Sequence, residues 1–107
     1  MKVWSVYMIR TRLGTLYTGS TMDVARRFAE HGQAGGRGSK YLRSKGPLCL
    51  AYEVEIGDST LAFKVEHRIK SLRKPEKEAI ICAKLTSSEL LALLGLAAPE
   101  DTAPAGC

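Results

Sequence analysis

Two strand-forming segments separated by a short turn constrain the fold of this chain most, because segments so close together pair as a hairpin. Residues 2–9 are rich in Val, Trp, Tyr and Ile, and residues 15–19 again favour a strand. Between them lies "RTRLG", whose glycine, Gly14, is typical of a turn. We therefore predict a β-hairpin in which Tyr7 and Tyr17 are cross-strand or diagonal neighbours.

The hairpin is followed by a helix signal and then by a third strand signal. Ser20 or Thr21 can cap a helix over residues 22–31, with Asp23 in its first turn and apolar residues at helical spacing. A continuous apolar start that gives way to alternation predicts a strand over residues 48–56.

The remaining residues predict helices. A cap at Asp58 or Ser59 precedes apolar residues with a 3.6-residue period, which indicates an amphipathic helix. Pro75 is expected at the first position of the next helix, and "TSSE" from Thr86 is a capping box for a last short one. The order β-β-α-β-α-α, with that last short helix, indicates the α+β class.

Length and charge bound the kind of protein. A chain of 107 residues is expected to form one domain, here residues 1–96, with one core. Residues 97–107, "AAPEDTAPAGC", offer no periodicity to bury, and we expect a disordered tail. The net charge of +5 favours polyanionic partners, although charge alone decides little.

Apolar runs and cysteines bear on location. No run approaches the roughly 20 apolar residues of a membrane-spanning helix, and the first residues lack the apolar region of a secretory signal. Cys49, Cys82 and Cys107 are an odd number without a C-x-x-C pair, which favours reduced thiols in a cytosol. We expect a cytoplasmic protein with no membrane association, in which Cys49 and Cys82 are small buried side chains.

Several polar residues together suggest phosphodiester chemistry. Arg27 and His31 are four residues apart and so share one helix face, and Glu66 borders the apolar stripe of the later helix. Hydrolysis of a phosphodiester needs a proton acceptor, a cation against developing charge and a carboxylate for a divalent metal. Singly, each residue has a plainer explanation: Arg27 and His31 as solvated side chains, and Glu66 as an ion-pair partner of Lys70.

Two tripeptides and their surroundings resemble a known family, the GIY-YIG nucleases. Their first motif corresponds here to "SVY", ending at Tyr7, and the second to "YTG", starting at Tyr17. "LYTGSTMDVARRFAEH", "KYLRSKGPLCLAYE" and "AFKVEHRIKSLRKPEKEAII" are similar to small stand-alone bacterial members, so that the resemblance covers roughly residues 2–84. It implies a three-stranded antiparallel sheet flanked by helices.

The resemblance also implies roles for individual residues. It assigns the catalytic residues Tyr7, Tyr17, Arg27, His31 and Glu66, with Glu66 as the ligand of Mg²⁺ or Mn²⁺. Gly19 would let backbone and substrate approach closely. Ser5 and Val6 replace the Gly and Ile of the family's name, and Ser20 stands where the DNA-repair members have a lysine. Either tyrosine could be the general base, with His31 as relay or orienter.

The expected function is a divalent-metal-dependent endonuclease acting on DNA, single-stranded or branched, in repair or processing, with RNA left open as a substrate. A glycine-rich basic loop is expected to contact unpaired nucleic acid through Arg37, Lys40, Tyr41, Arg43 and Lys45. Two alternatives stay open: a catalytically weak nucleic-acid-binding module on the same basic face, and a structural or adaptor domain.

Overall fold

A three-stranded antiparallel sheet forms the centre of the fold. The computed structural model describes residues 3–32 and 47–96. The strands are β1 (Trp4–Arg10), β2 (Leu16–Thr21) and β3 (Cys49–Gly57), in the order β2-β1-β3. The helices are α1 (Val24–Gly32), α2 (Ser59–Lys70), α3 (Lys74–Ala83) and α4 (Ser87–Leu93). The predicted α+β class and antiparallel sheet are confirmed, and the predicted tail lies outside the described residues.

The central strand, β1, contributes side chains to both faces of the sheet, because successive residues of a strand point in opposite directions. On one face, Val6 and Met8 join the larger core cluster with the α2 residues Ala62, Val65 and Ile69. On the other face, Tyr7 and Ile9 pack with Val24 of α1 in a smaller cluster. The sheet therefore separates α1 from α2.

Local capping explains where the later helices begin. The Asp58 side chain accepts a hydrogen bond of 2.8 Å from the Leu61 backbone N–H, as predicted for α2. Thr86 and Glu89 form the predicted reciprocal capping box of α4. Pro75 is not the first residue of α3, because Lys74 precedes it inside the helix.

The start of α1 differs from the prediction. Ser20 and Thr21 do not cap the helix, because the pairing of β2 with β1 extends as far as Thr21 opposite Ser5. Asp23 precedes the helix instead of lying in its first turn, and its Oδ1 accepts a hydrogen bond of 3.1 Å from the backbone N–H of Arg26. The sheet register therefore overrides the local capping pattern.

Two further observations concern cysteines and membranes. Cys49 and Cys82 are exposed, so the prediction that they are buried is wrong. Cys49 is the first residue of β3, opposite Arg10 at the end of β1, and belongs to neither core cluster. Within residues 3–32 and 47–96, no helix is long and apolar enough to cross a membrane.

Candidate active site

Tyr7 and Gly19 lie directly opposite each other on β1 and β2. A Cβ atom at Gly19 would be 2.5 Å from the phenolic oxygen of Tyr7 and 2.6 Å from its Cζ, distances that real Cβ atoms essentially never show. The glycine therefore lets the Tyr7 ring lie across the neighbouring strand. Because β2 is an edge strand, the phenol is directed toward the open edge of the sheet.

His31, near the end of α1, contacts both motif tyrosines. Its Nε2 lies 2.9 Å from the phenolic oxygen of Tyr7, and both side chains are almost fully buried. The Tyr17 ring packs edge-on against the imidazole, with ring centroids 5.3 Å apart. Tyr17 pairs with Ile9 in the register, which makes it a diagonal neighbour of Tyr7. The structure thus brings together three of the predicted site residues.

Burial favours the uncharged forms of Tyr7 and His31. Burial first, and then the neighbouring Tyr17, raise the pKa of Tyr7 to about 12, although the Arg27 guanidinium opposes the rise. The pKa of His31 lies below its ordinary value, again because of burial first and of Arg27 second. A neutral imidazole with its proton on Nδ1 can accept the Tyr7 hydroxyl proton at Nε2.

Arg27 places a permanent positive charge beside this pair. It lies one helical turn before His31 on α1, and its side chain is half-buried. Its Nη1 donates a hydrogen bond of 3.0 Å to Oε1 of Glu30, which also raises the pKa of Arg27. The guanidinium is also close enough to Tyr7 to hydrogen-bond the phenol and to lower its pKa. It is therefore not simply a solvated side chain.

Glu66 lies on the other side of the sheet, on α2, and reaches the same edge strand. Ser20 donates a hydrogen bond of 2.6 Å to its Oε1, and the Lys70 ammonium lies 2.7 Å from its Oε2. The ion pair with Lys70 is the plainer explanation for Glu66 that the sequence analysis gave. The contact with Ser20 was not foreseen, although strand alternation after Gly19 turns Ser20 to the face on which α2 packs.

Among the described residues, Glu66 is the one predicted ligand for a divalent metal. No group of three His, Cys, Asp or Glu side chains in this part of the chain could hold an ion. Mg²⁺ usually keeps several waters and takes one or two carboxylates together with substrate phosphates, and one partly exposed glutamate at a sheet edge suits that mode. A bound metal would have to compete with the Lys70 ammonium for the carboxylate.

A groove of about 370 Å³ lies between α1 and the ends of β1 and β2. Its lining residues include Trp4, Ser20 and Arg27. Tyr7, Tyr17, Gly19 and His31 lie on the α1 side of the sheet, and Ser20 and Glu66 on the α2 side. The predicted contacts through Arg37, Lys40, Tyr41, Arg43 and Lys45 fall outside the described residues.

Comparisons with known proteins identify the family of this chain. The family described as the GIY-YIG catalytic domain matches residues 3–79. The UPF0213 protein YhbQ of Salmonella typhimurium is 45% identical over 94 residues, which cover 88% of this chain and 92% of that protein. A UPF0213 protein of Yersinia pestis is 51% identical over 79 residues, covering 74% of this chain and 81% of its own.

A solved structure is similar as well. The solution NMR structure of the UPF0213 protein BH0048 from Bacillus halodurans shares 34% sequence identity, covers 78% of this chain and 86% of its own, and superposes with a TM-score of 0.50. The family matches the one predicted from the two tyrosine motifs, and its model covers the whole sheet, α1 and α2. This chain therefore belongs to the GIY-YIG family of nucleases.

Proposed function

We propose that this protein is a divalent-metal-dependent endonuclease that hydrolyses phosphodiester bonds of DNA, single-stranded or branched, in repair or processing. One observation carries the proposal: the Tyr7 and His31 pair, the Arg27 guanidinium and the Glu66 carboxylate converge on edge strand β2 from opposite faces of the sheet. A binding surface alone does not need a buried phenol and imidazole in hydrogen-bond contact at the same edge strand as a carboxylate.

The Tyr7 and His31 pair provides a route for the proton of the attacking water. With a pKa of about 12, the phenol cannot lose its proton unaided at neutral pH. When Tyr7 accepts a proton from water, it can release its own hydroxyl proton to Nε2 of His31, which lies 2.9 Å away. The water oxygen bonds to phosphorus, the bond to the leaving oxygen breaks, and that oxygen takes up a proton from solvent. His31 holds the proton received from Tyr7 until it passes back through the phenol after the product has left.

Charge on the phosphate is countered from two sides. Arg27 is fixed by Glu30 and is permanently charged, so it can stabilise negative charge that develops on the phosphoryl oxygens. Mg²⁺ or Mn²⁺ bound by Glu66 would supply Lewis-acid polarisation of a phosphate oxygen. Glu66, whose Oε1 accepts the Ser20 hydrogen bond, would hold the metal in competition with the Lys70 ammonium at Oε2.

A cleavage assay with the Glu66→Gln variant tests the proposal. The wild-type protein should cut single-stranded or branched DNA with Mg²⁺ or Mn²⁺ and stop when EDTA is added. Glu66→Gln should lose cleavage but keep its DNA affinity, because the amide ligates metal poorly and removes one negative charge. Glu55→Gln, an exposed glutamate on β3, is the matched control. Wild-type turnover by Glu66→Gln would contradict the assignment of the metal ligand.

The catalytic role of Arg27 can be tested by comparison with Arg26, the preceding residue on α1. Arg26 is also paired with Glu30, at 3.3 Å, but its side chain is 71% exposed. Arg27→Ala should lower turnover by roughly 100-fold if the guanidinium acts on transition-state charge, whereas Arg26→Ala should change it little. A loss of affinity without a loss of turnover at saturating DNA would make Arg27 a phosphate anchor instead.

The basic segment from Arg37 to Lys45 is proposed as a further DNA contact. Its cations and Tyr41 have the composition of a single-strand platform. Neutralising Arg37, Lys40, Arg43 and Lys45 together should flatten the salt dependence of single-strand binding by roughly 0.7 per lost phosphate contact. Tyr41→Ala should weaken binding without changing that slope.

The second candidate is a nucleic-acid-binding module with weak or no turnover. The observation that favours it is the engagement of both Glu66 oxygens, one by Ser20 and one by Lys70. Such a module would bind DNA with the same salt dependence, but neither Mg²⁺ nor Mn²⁺ would produce cleavage. The assay above therefore separates the two candidates.

A further inference from the structure

An aromatic pair, Trp4 and Phe63, lies on the surface where β1 begins. The two rings meet edge to face, with centroids 5.2 Å apart and an interplanar angle of 75°. Phe63 is 50% exposed, and among the described residues it is the only aromatic side chain exposed to that extent. Single exposed apolar side chains are common, so the exposure of Phe63 indicates a binding site only if its neighbours also suit a ligand.

The pair adjoins the groove that Ser20 and Arg27 line. Phe63 lies three residues before Glu66 on α2, and this spacing puts both side chains on the same side of the helix. Trp4 lines the groove of about 370 Å³ together with Ser20 and Arg27. A ligand whose phosphate reaches Arg27 and Glu66 therefore has the aromatic pair as its next neighbour.

Basic side chains border the aromatic pair on both sides. On α2, Phe63 lines a depression with the cations Lys64 and Arg68. On the groove side are Arg26 and Arg27, although the acidic Asp23 and Glu30 lie there too. An aromatic face between positive side chains suits a nucleotide strand, whose backbone is anionic and whose bases have apolar faces.

Resting on the proposed function, we infer that Trp4 and Phe63 form a stacking platform for an unpaired base next to the phosphate that is cut. Bases within a duplex are already stacked on their neighbours and cannot use such a platform. The substrate is then nucleic acid with single-stranded nucleotides at the cleavage site, and not continuous duplex.

Binding measured in the Glu66→Gln variant tests the platform without cleavage. Fluorescence anisotropy of a labelled single-stranded oligonucleotide should show that Phe63→Ala lowers affinity about tenfold, while affinity for a duplex of equal length changes less than twofold. Phe63→Tyr should restore single-strand affinity. Leu93→Ala on α4 is the control, because Leu93 is exposed to 60% and lies on another helix.

The single tryptophan supplies a second readout that does not depend on activity. The chain contains only Trp4, so its emission reports on the platform directly. Single-stranded DNA should quench this emission, and duplex should not.

The outcomes separate the two proposals. If Phe63→Ala leaves single-strand affinity unchanged, or lowers single-strand and duplex affinity equally, the platform is overturned and the nuclease proposal stands. If the wild-type protein binds and cuts no nucleic acid, both are overturned. Self-association that Phe63→Ala abolishes, without an effect on DNA binding, would make the pair a contact between copies of this chain.

Discussion

The phenol of Tyr7 occupies the space that a side chain on Gly19 would fill, with its oxygen 2.5 Å from the position of a Cβ atom. Gly19→Ala should therefore displace the Tyr7 ring and break its contact with His31. Because Tyr7 is buried, overpacking should cost about 1 to 3 kcal/mol of folding free energy, and cleavage should fall with it. Urea unfolding and the cleavage assay measure the two effects.

A double-mutant cycle shows whether Gly19→Ala destabilises the protein by breaking the contact between Tyr7 and His31. Tyr7→Phe alone removes the hydroxyl and leaves Nε2 of His31 without that partner, at a cost of about 1 kcal/mol or more. In the Gly19→Ala background the same change should cost less, since the contact is already broken. Additive costs would mean that Gly19→Ala acts elsewhere and leaves the Tyr7 and His31 contact intact.

Acid should destabilise the protein partly through His31. Burial, and then Arg27, hold the folded-state pKa of His31 below its ordinary value, while Glu30 opposes this. The unfolded chain therefore binds more protons below about pH 6.5. The stabilising contribution is fully present above that pH and is lost as the pH falls through the folded-state pKa.

The variant His31→Gln isolates this contribution. Its free energy of unfolding, measured in urea between about pH 7.5 and 5, should fall less steeply than that of the wild type. His67→Gln is the control, because His67 is exposed on α2 and lies outside the Tyr7 cluster. An unchanged pH slope in His31→Gln would show that His31 titrates alike in the folded and unfolded chain.

Local signals explain which parts of the fold could be predicted. The side chains at Asp58, Thr86 and Glu89 bond to backbone within three residues, so their patterns predict helix starts without knowledge of the fold. The hairpin was likewise predicted from local signals, namely two strand-forming segments and the turn glycine Gly14. Ser20 shows the limit: its local pattern favoured a cap, but pairing with Val6 places it in β2.

The residues of the candidate site could be predicted from the sequence, but their arrangement in space could not. The motif resemblance predicted catalytic roles for Tyr7, Tyr17, Arg27, His31 and Glu66, and these roles stay predictions. That Tyr7 reaches His31 across Gly19 depends on strand register, which a one-residue slip would change. The link from Ser20 to Glu66 joins residues 46 positions apart and depends on how α2 packs on the sheet.

Lys70 should weaken the affinity of Glu66 for divalent metal, because its ammonium lies 2.7 Å from Oε2. The Lys70 side chain is 51% exposed, so solvent screens the repulsion between the ammonium and a metal ion. Lys70→Met keeps most of the aliphatic stem and should tighten Mn²⁺ binding by roughly threefold to tenfold, as measured by electron paramagnetic resonance of free Mn²⁺. Lys64→Met, an exposed lysine on the same helix, is the control, and adding Glu66→Gln should remove the gain. Equal Mn²⁺ affinity in wild type and Lys70→Met would show that the ion pair does not compete with the metal.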